Sequence, residues 1–203
     1  MKSNTIKRIE EDIEKIKVIK VKEEELSSDS NFISLIKGHY TLNNKKTITR
    51  ESAFKKLGTG NAVCIFAVTT DKKILVVIQS RVPLPTENKV NIELPAGYVE
   101  VGEAIIEAGI RELLEETGYT TEEIFKVDEY YPSLGFSKEK ITLLLALNCT
   151  KTGEQNLDKD EYLYYELVTL EEFEFLLNNG YLKDTNTRIG YYRYLEYLMK
   201  EGY

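Results

Sequence analysis

The chain has few of the residues that form disulfide bonds and zinc sites. Two of its 203 residues are cysteines, Cys64 and Cys149, and one is a histidine, His39. Each cysteine lies inside an apolar run, which favours a buried thiol over a disulfide bond. A single histidine without a cysteine pair argues against a zinc site.

Long apolar segments are also missing. Residues 1–20 carry charges every few positions and lack the apolar core of a secretory signal, and no stretch elsewhere suits a membrane span. We therefore expect a cytoplasmic protein that does not bind membranes. The net charge of -7 argues against a nucleic-acid binder, because such proteins usually present a basic surface to phosphates. A phosphorylated small molecule can still bind when divalent cations lie between it and carboxylates.

Residues 1–55 are predicted to form a small β-rich appendage. Isoleucines in residues 6–16 have helical spacing, whereas residues 16–21 resemble a strand, so the start of the chain stays ambiguous. Two further short segments, around Phe32–Tyr40 and Thr47–Phe54, are separated by a turn at Asn43-Asn44.

Residues 56–203 are predicted to form one α/β domain (α+β), with a mixed β-sheet covered by helices. Apolar, β-branched runs indicate strands, and a period near 3.6 residues indicates helices. The predicted strands are residues 62–70, 73–80, 92–94, 124–131, 141–149 and 162–168, and the predicted helices are residues 103–117, 170–178 and 185–199. Gly118 suits the left-handed cap that ends the first helix.

The helix predicted over residues 103–117 places three carboxylates on one face. At about 100° per residue, Glu115 and Glu116 lie within about 60° of Glu112. We expect this face to border an open site, with small Ala108 and Gly109 leaving the preceding turn bare. The opposite side is apolar and comprises Ile106, Ile110, Leu113, Leu114 and Thr117. Like charges at this spacing repel, so the pattern indicates either a solvated acidic surface or carboxylates that bind hard cations such as Mg²⁺.

Residues Gly97–Tyr119 resemble the Nudix box, a spaced pattern of Gly, Glu, Arg-Glu, Glu-Glu and Gly. The fixed positions are filled by Gly97, Glu103, Arg111, Glu112, Leu113, Glu115, Glu116, Gly118 and Tyr119. Tyr119 is aromatic where the family usually has an aliphatic residue. The resemblance implies the Nudix fold, an α/β/α sandwich, and hydrolysis of a nucleoside diphosphate linked to another group.

The same resemblance implies roles for individual residues. Glu112, Glu115, Glu116 and the backbone carbonyl of Ala96 would bind Mg²⁺, with Mn²⁺ as an alternative. Glu115 and Arg111 are also candidates for catalysis. Arg111 and Glu103 would support the loop and helix, although a surface salt bridge is the alternative for that pair. Gly97 and Gly118 are structural supports, and Glu107, one turn before Arg111, is placed to pair with it.

Flanking segments resemble the ADP-ribose pyrophosphatase branch of the family. Glu93–Gly97 matches its Glu-Leu-Pro-Ala-Gly entry, and Tyr131–Ser137 resembles its Pro-Ser-Pro-Gly loop, with Leu134 in place of the second proline. Gln79–Arg81 departs at Ser80, where the branch has an aromatic residue. Lys183–Thr187 sits where the branch often has Asp-Ala-Lys-Thr. The implied reaction converts ADP-ribose into AMP and ribose 5-phosphate.

Four further residue roles and the assembly follow from that branch. Arg81 and Glu93 would contact the substrate. Arg50 would reach the site from a partner subunit, or is a surface residue. Glu139 would act as general base or metal contact, or is a solvated loop charge. The N-terminal strands would form a homodimer, or a tethered hairpin without a partner. Other diphosphates (NADH, a nucleotide sugar, a dinucleoside polyphosphate) and a non-catalytic nucleotide sensor are the alternative functions.

Overall fold

The computed structural model describes residues 18–26, 32–81, 83–84, 90–159 and 161–202. They belong to two compact units: the first extends to Lys56 and includes Ser133–Lys138, and the second comprises Leu57–Pro132 and Glu139–Tyr203. The sequence places residues 133–138 in its second predicted domain. The structure places them in the first unit, because backbone hydrogen bonds join Ala53 to Phe136 (2.7 Å) and to Lys138 (3.0 Å).

The first unit contains a three-stranded antiparallel sheet in the order β1-β2-β3. Its strands are β1 (Val18–Glu25), β2 (Ile33–Leu42) and β3 (Thr47–Lys55). The predicted turn between β2 and β3 is confirmed, and Lys45 adopts a positive φ of 64° within it. The helical spacing of residues 6–16 lies outside the described residues.

The second unit contains a mixed sheet. Its strands are β4 (Ala62–Thr69), β5 (Ile74–Ser80), β6 (Val90–Glu93), β7 (Ala96–Tyr98), β8 (Tyr119–Thr120), β9 (Glu123–Tyr130), β10 (Ile141–Lys151) and β11 (Leu163–Val168). Strands β4 and β10 pair in parallel at the centre, and the other pairs are antiparallel. Both central strands are apolar and buried along most of their length, as expected when helices cover both faces.

Helices pack on both faces of this sheet: α1 (Ile105–Thr117), α2 (Leu170–Asn178) and α3 (Thr185–Glu201). Alternate residues of β4 enter two separate cores, one with Ala108 and Leu113 of α1 and the other with Phe173 and Tyr191 of α2 and α3. The predicted α/β/α sandwich is therefore confirmed. Helix α1 begins two residues later than predicted, and the short strands β7 and β8 were not predicted.

Both cysteine side chains are buried with free thiols. Within the described parts of the chain, no helix combines the length and apolar character needed to cross a bilayer.

Candidate active site

Helix α1 packs closely against the sheet through its small residues. Ala108 is fully buried, and a Cβ added to Gly109 would overlap the side chain of Leu144. The expectation that these two residues leave an open surface is wrong, because their small size lets the helix backbone approach β10. Leu114, expected on the buried side, is 38% exposed.

Two of the three box carboxylates lie in the interior. Glu112 is 9% exposed and Glu116 is 1% exposed, whereas Glu115 is partly exposed. The expected open carboxylate face is thus closed at two positions. The backbone N–H of Ala96 in β7 donates to Glu116 Oε2 at 3.0 Å. The next residue, Gly97, contacts Glu112 so closely that an added Cβ would overlap the carboxyl group. Gly97 is therefore required for this approach rather than for an unusual backbone angle.

Arg111 is the centre of the hydrogen-bond network. Its guanidinium donates twice to Glu103 (2.8 and 3.0 Å), once each to Glu112 and Glu115 (both 2.9 Å) and once to the carbonyl of Tyr98 (2.8 Å). These bonds occupy all the N–H donors that arginine has. Arg111 thereby fixes the loop after β7 to helix α1. Glu107 does not take part; it accepts from the backbone N–H of Ala104 at 3.3 Å and caps the helix.

Burial raises the pKa of two carboxyl groups in this site. The pKa of Glu112 is raised to about 7 by desolvation, with Arg111 opposing the shift. Desolvation also raises the pKa of Glu116 well above its ordinary value, and its Ala96 hydrogen bond only partly opposes this. By contrast, hydrogen bonds from Arg111 lower the pKa of Glu103. The protein therefore disfavours the charged forms of Glu112 and Glu116 and favours that of Glu103.

The C-terminal end of α1 is held by a segment that the sequence did not single out. Gln155 Nε2 donates to the carbonyl of Glu116 at 2.6 Å, and the N–H of Asn156 donates to that of Glu115 at 2.8 Å. Gly118 ends the helix with a left-handed φ of 76°, as predicted. A Cβ there would overlap the carbonyl of Gly153.

Glu161 is a further carboxylate that the sequence analysis missed. Its negative charge contributes to the raised pKa of both Glu112 and Glu116. It precedes β11 and lies far outside the box in sequence, so no local pattern indicated it. Its side chain accepts a hydrogen bond from the backbone N–H of Asp158 at 3.3 Å.

Arg81 and Glu93 form a second cluster in the same unit. Arg81 Nε donates to Glu93 Oε1 at 2.7 Å, and the Arg81 side chain is 45% exposed while that of Glu93 is 9% exposed. Burial raises the pKa of Glu93, with Arg81 opposing the shift and Asp184 adding to it. The negative charge of Glu93 also contributes to the raised pKa of Glu116, so the two clusters interact electrostatically.

Two predicted site residues remain, Arg50 and Glu139. Arg50, in β3 of the first unit, is exposed and donates to the carbonyl of Thr49 at 2.9 Å. It borders a pocket of about 380 Å³ within that unit. Glu139 lies half-buried before β10. Of the neighbouring lysines, Lys138 pairs with Glu23 in the first unit, and Lys140 pairs with Glu129 at 3.3 Å in the second.

A family comparison identifies this arrangement. Residues 58–187 match the model of the NUDIX domain. The chain belongs to the Nudix family. It is a Nudix hydrolase, with the box carboxylates on α1 and the supporting arginine at Arg111.

Proteins from other organisms are similar to it. An ADP-ribose pyrophosphatase of Bacillus subtilis is 38% identical over 127 residues, which cover 62% of this chain and 67% of the relative. The methanol dehydrogenase activator of Bacillus methanolicus is 36% identical over 129 residues, covering 63% of this chain and 68% of that protein. A crystal structure of an ADP compounds hydrolase superposes with a TM-score of 0.77 at 17% identity, covering 92% of this chain and 96% of that one, and supports the fold.

Nudix hydrolases generally use divalent metal ions, and the site can be tested for such an ion by its donor chemistry. Glu112, Glu115, Glu116 and the Ala96 backbone offer only oxygen donors, as Mg²⁺ prefers. In the described residues no three acidic, histidine or cysteine side chains converge on one point. The reason is that Glu112 and Glu115 turn toward Arg111, and Glu116 toward the Ala96 N–H. The donors fit a hard cation by chemistry and charge. To bind it, the side chains of Glu112 and Glu115 would have to turn away from Arg111.

Proposed function

We propose that this Nudix hydrolase is a Mg²⁺-dependent pyrophosphohydrolase that cleaves ADP-ribose into AMP and ribose 5-phosphate. The observation that carries the metal requirement is the burial of Glu112 and Glu116 beside Ala96 and Gly97. Buried carboxylates are costly without compensating positive charge, and Arg111 already distributes its donors over three glutamates. A divalent cation bound by Glu112, Glu115, Glu116 and the Ala96 carbonyl would supply that charge.

The substrate part of the proposal is supported by the flanking residues and by the relatives. Relatives from Bacillus subtilis and from Saccharomyces cerevisiae are both ADP-ribose pyrophosphatases, the latter 29% identical over 181 residues, 84% of this chain and 77% of that protein. Within this chain, Arg81 presents an exposed guanidinium beside the buried Glu93. We assign Arg81 as the contact to a substrate phosphate, since arginine suits phosphate recognition.

The residues of the site would have the following roles. Glu112, Glu115, Glu116 and the Ala96 carbonyl would hold a divalent metal, which when bound would supply positive charge to the diphosphate and acidify the attacking water. Arg111 and Glu103 keep α1 and the loop after β7 at a fixed distance, and Gly97 leaves room for Glu112. Arg81 would bind a substrate phosphate through its exposed guanidinium and so hold the substrate in the site.

Two carboxylates are candidates for the general base. Glu139 is proposed from the family resemblance, and Glu161 from its electrostatic interaction with Glu112 and Glu116. Loss of a general base typically lowers turnover by about 10²- to 10⁴-fold. Glu139→Gln and Glu161→Gln, measured separately at saturating metal and substrate, would show which residue has an effect of that size. Similar small effects in both would remove both from this role.

The decisive experiment is a substrate panel with the purified protein. ADP-ribose, NADH, a nucleotide sugar and a dinucleoside polyphosphate are each incubated with Mg²⁺, with Mn²⁺ and with a chelator, and the released nucleotides are separated by chromatography. We expect the highest kcat/KM for ADP-ribose in Mg²⁺, AMP as the nucleotide product, and no turnover in chelator. A higher kcat/KM for another diphosphate would overturn the substrate, and full activity in chelator would overturn the metal requirement.

The proposal also includes a cytoplasmic homodimer assembled through the first unit, with Arg50 reaching a partner's site. This part is carried by the resemblance to the ADP-ribose pyrophosphatase branch. Light scattering during size-exclusion chromatography should give twice the monomer mass of 23.4 kDa. A monomer mass at assay concentration, together with full activity, would contradict it.

A further inference from the structure

Asn91 joins the buried carboxylate of Glu93 to the partly buried carboxylate of Asp184, and the two come from distant parts of the second unit. It lies in β6, is 3% exposed and points to the same side as Glu93, two residues later. Its amide nitrogen donates to Glu93 Oε2 and to Asp184 Oδ1, both at 3.2 Å. Asp184 is the residue that caps the N-terminus of α3. The side chain of Asn91 thus connects β6 to the start of that helix.

Each carboxylate has a second partner, so Asn91 is the middle of a continuous chain of hydrogen bonds. Glu93 accepts from Arg81 through its other oxygen, at 2.7 Å. Asp184 accepts from the backbone N–H of Thr187 through its other oxygen, at 2.8 Å. Thr187 in turn accepts from the N–H of Leu94 at 3.1 Å, which adds a parallel link between β6 and α3. The exposed end of this chain is Arg81.

The orientation of the Asn91 carboxamide is unfavourable for its oxygen, and this indicates that the fold requires the hydrogen bonds of its nitrogen. Its Oδ1 is buried and has no hydrogen-bond partner within the described part of the protein. A buried acceptor left in this state is unfavourable, because it gave up its hydrogen bonds to water on folding. Turning the amide over would face that oxygen toward two carboxylates, which is worse because acceptors would then oppose acceptors. The cost is tolerated because both N–H groups are needed between Glu93 and Asp184, whose charges otherwise repel.

We propose that Asn91 is a positioning residue for the substrate: it keeps Glu93 and Asp184 together, and Glu93 then holds Arg81 in the orientation that meets a phosphate. This inference rests on the proposed function, in which Arg81 contacts the substrate. Asn91 itself is too deeply buried to touch a substrate, so it acts through its two neighbours.

The test separates substrate binding from turnover in variants of this chain. Asn91→Asp keeps the size of the side chain but removes its N–H donors and adds a third acidic group. We expect KM for ADP-ribose to rise about tenfold or more, as Arg81 loses its orientation, with kcat within about threefold of wild type. Should Asn91→Asp not fold, Asp184→Asn decides instead, because asparagine remains a good helix cap but has only one oxygen for two donors. The same rise in KM is expected.

Asn186→Ala is the matched control. Asn186 lies in the same first turn of α3 and accepts a hydrogen bond from Tyr130 at 3.1 Å, but it has no bond to the Asn91 chain. Its KM should equal that of wild type, and thermal unfolding reports any general loss of stability. A folded Asn91→Asp or Asp184→Asn protein with wild-type KM, or a loss confined to kcat, would overturn the inference alone. Wild-type protein that hydrolyses no diphosphate would overturn the proposed function and the role of Arg81 with it.

Discussion

The two carboxylate clusters of the second unit differ in what compensates their negative charge. In the cluster on α1, Arg111 donates to three glutamates, and the Glu116 side chain accepts, within the described residues, only the N–H of Ala96. In the cluster at β6, Glu93 and Asp184 share Asn91, and each has a further permanent donor. Within the described residues, both carboxylate oxygens of Glu93 and of Asp184 thus accept a hydrogen bond, whereas Glu116 accepts one through a single oxygen.

This difference indicates which cluster performs chemistry. A buried carboxylate with a strongly raised pKa and few donors is stabilised when a cation binds, so its energy changes with the ligand. A carboxylate with permanent partners keeps its position whether or not a ligand is present. We therefore propose that the α1 cluster binds the metal and that the β6 cluster binds the substrate, and the following variants test that proposal.

Glu116→Gln is expected to have the largest effect. It removes the most deeply buried box carboxylate, and turnover should fall by about 10²- to 10³-fold or more. The rise in Tm that Mg²⁺ causes in wild type should disappear, while Tm in chelator stays the same or increases because no buried charge is left. Glu107→Gln on the same helix is the control, since glutamine can still cap Ala104. Wild-type turnover in Glu116→Gln would refute the metal assignment.

Gly97→Ala should have the next largest effect. The new methyl group would overlap the Glu112 carboxyl and push it out of place. A displacement of about 1 Å at a reacting site can cost about 10²-fold in rate, and we expect a loss near that size. Gly153→Ala is the control, because its added Cβ would meet nothing closer than the Leu114 side chain at 3.9 Å. Equal steady-state rates for the two variants would show that Glu112 need not lie against residue 97.

These two sites also show how far the sequence could lead. The period of residues 103–117 and the box spacing predicted α1, its three carboxylates and the support by Arg111. They could not predict that Glu112 and Glu116 are buried, because that depends on β7 and on Gln155, which lies 39 residues beyond Glu116. Asn91 and Asp184 meet across 93 residues, and neither belongs to a motif that marks their contact.

Arg111→Lys probes how much of the α1 cluster depends on one guanidinium. Lysine keeps the charge but has three donors on one atom, so it cannot reach Glu103, Glu112 and the Tyr98 carbonyl together. We expect kcat to fall about tenfold and stability to fall by about 1–3 kcal/mol. Arg193→Lys is the matched control: Arg193 also pairs with two carboxylates, Asp128 and Glu196, but is 42% exposed. Arg193→Lys should lower the free energy of unfolding, measured by chemical denaturation, by under about 1 kcal/mol. An equal decrease in the two variants would contradict the central role of Arg111 in the α1 cluster.

The smallest effect concerns the charge of Glu93. Burial raises the pKa of Glu93 above its ordinary value of 4.5 although Arg81 opposes the shift. A raised folded-state pKa means that protonation favours folding, so the contribution of Glu93 to the free energy of unfolding is full below about pH 4.5 and is lost as pH rises through the folded-state pKa. The glutamine of Glu93→Gln cannot titrate. As pH rises through the folded-state pKa of Glu93, urea unfolding should therefore show the free energy of unfolding of this variant increasing relative to that of wild type.

Glu129→Gln is the control for this pH series, because its effect on stability should change with pH in the opposite direction. Lys126 and Lys140 lower the pKa of the exposed Glu129, so wild type should lose stability relative to this variant only as pH falls through the lowered pKa. The contrary result is a free energy of unfolding, relative to wild type, that changes with pH in the same way for Glu93→Gln and Glu129→Gln. That result would mean that Arg81 and Asn91 compensate the charge of Glu93 as fully as solvent and lysines compensate the charge of Glu129. The β6 cluster would then stabilise its charge without a net burial cost, which would widen its contrast with α1.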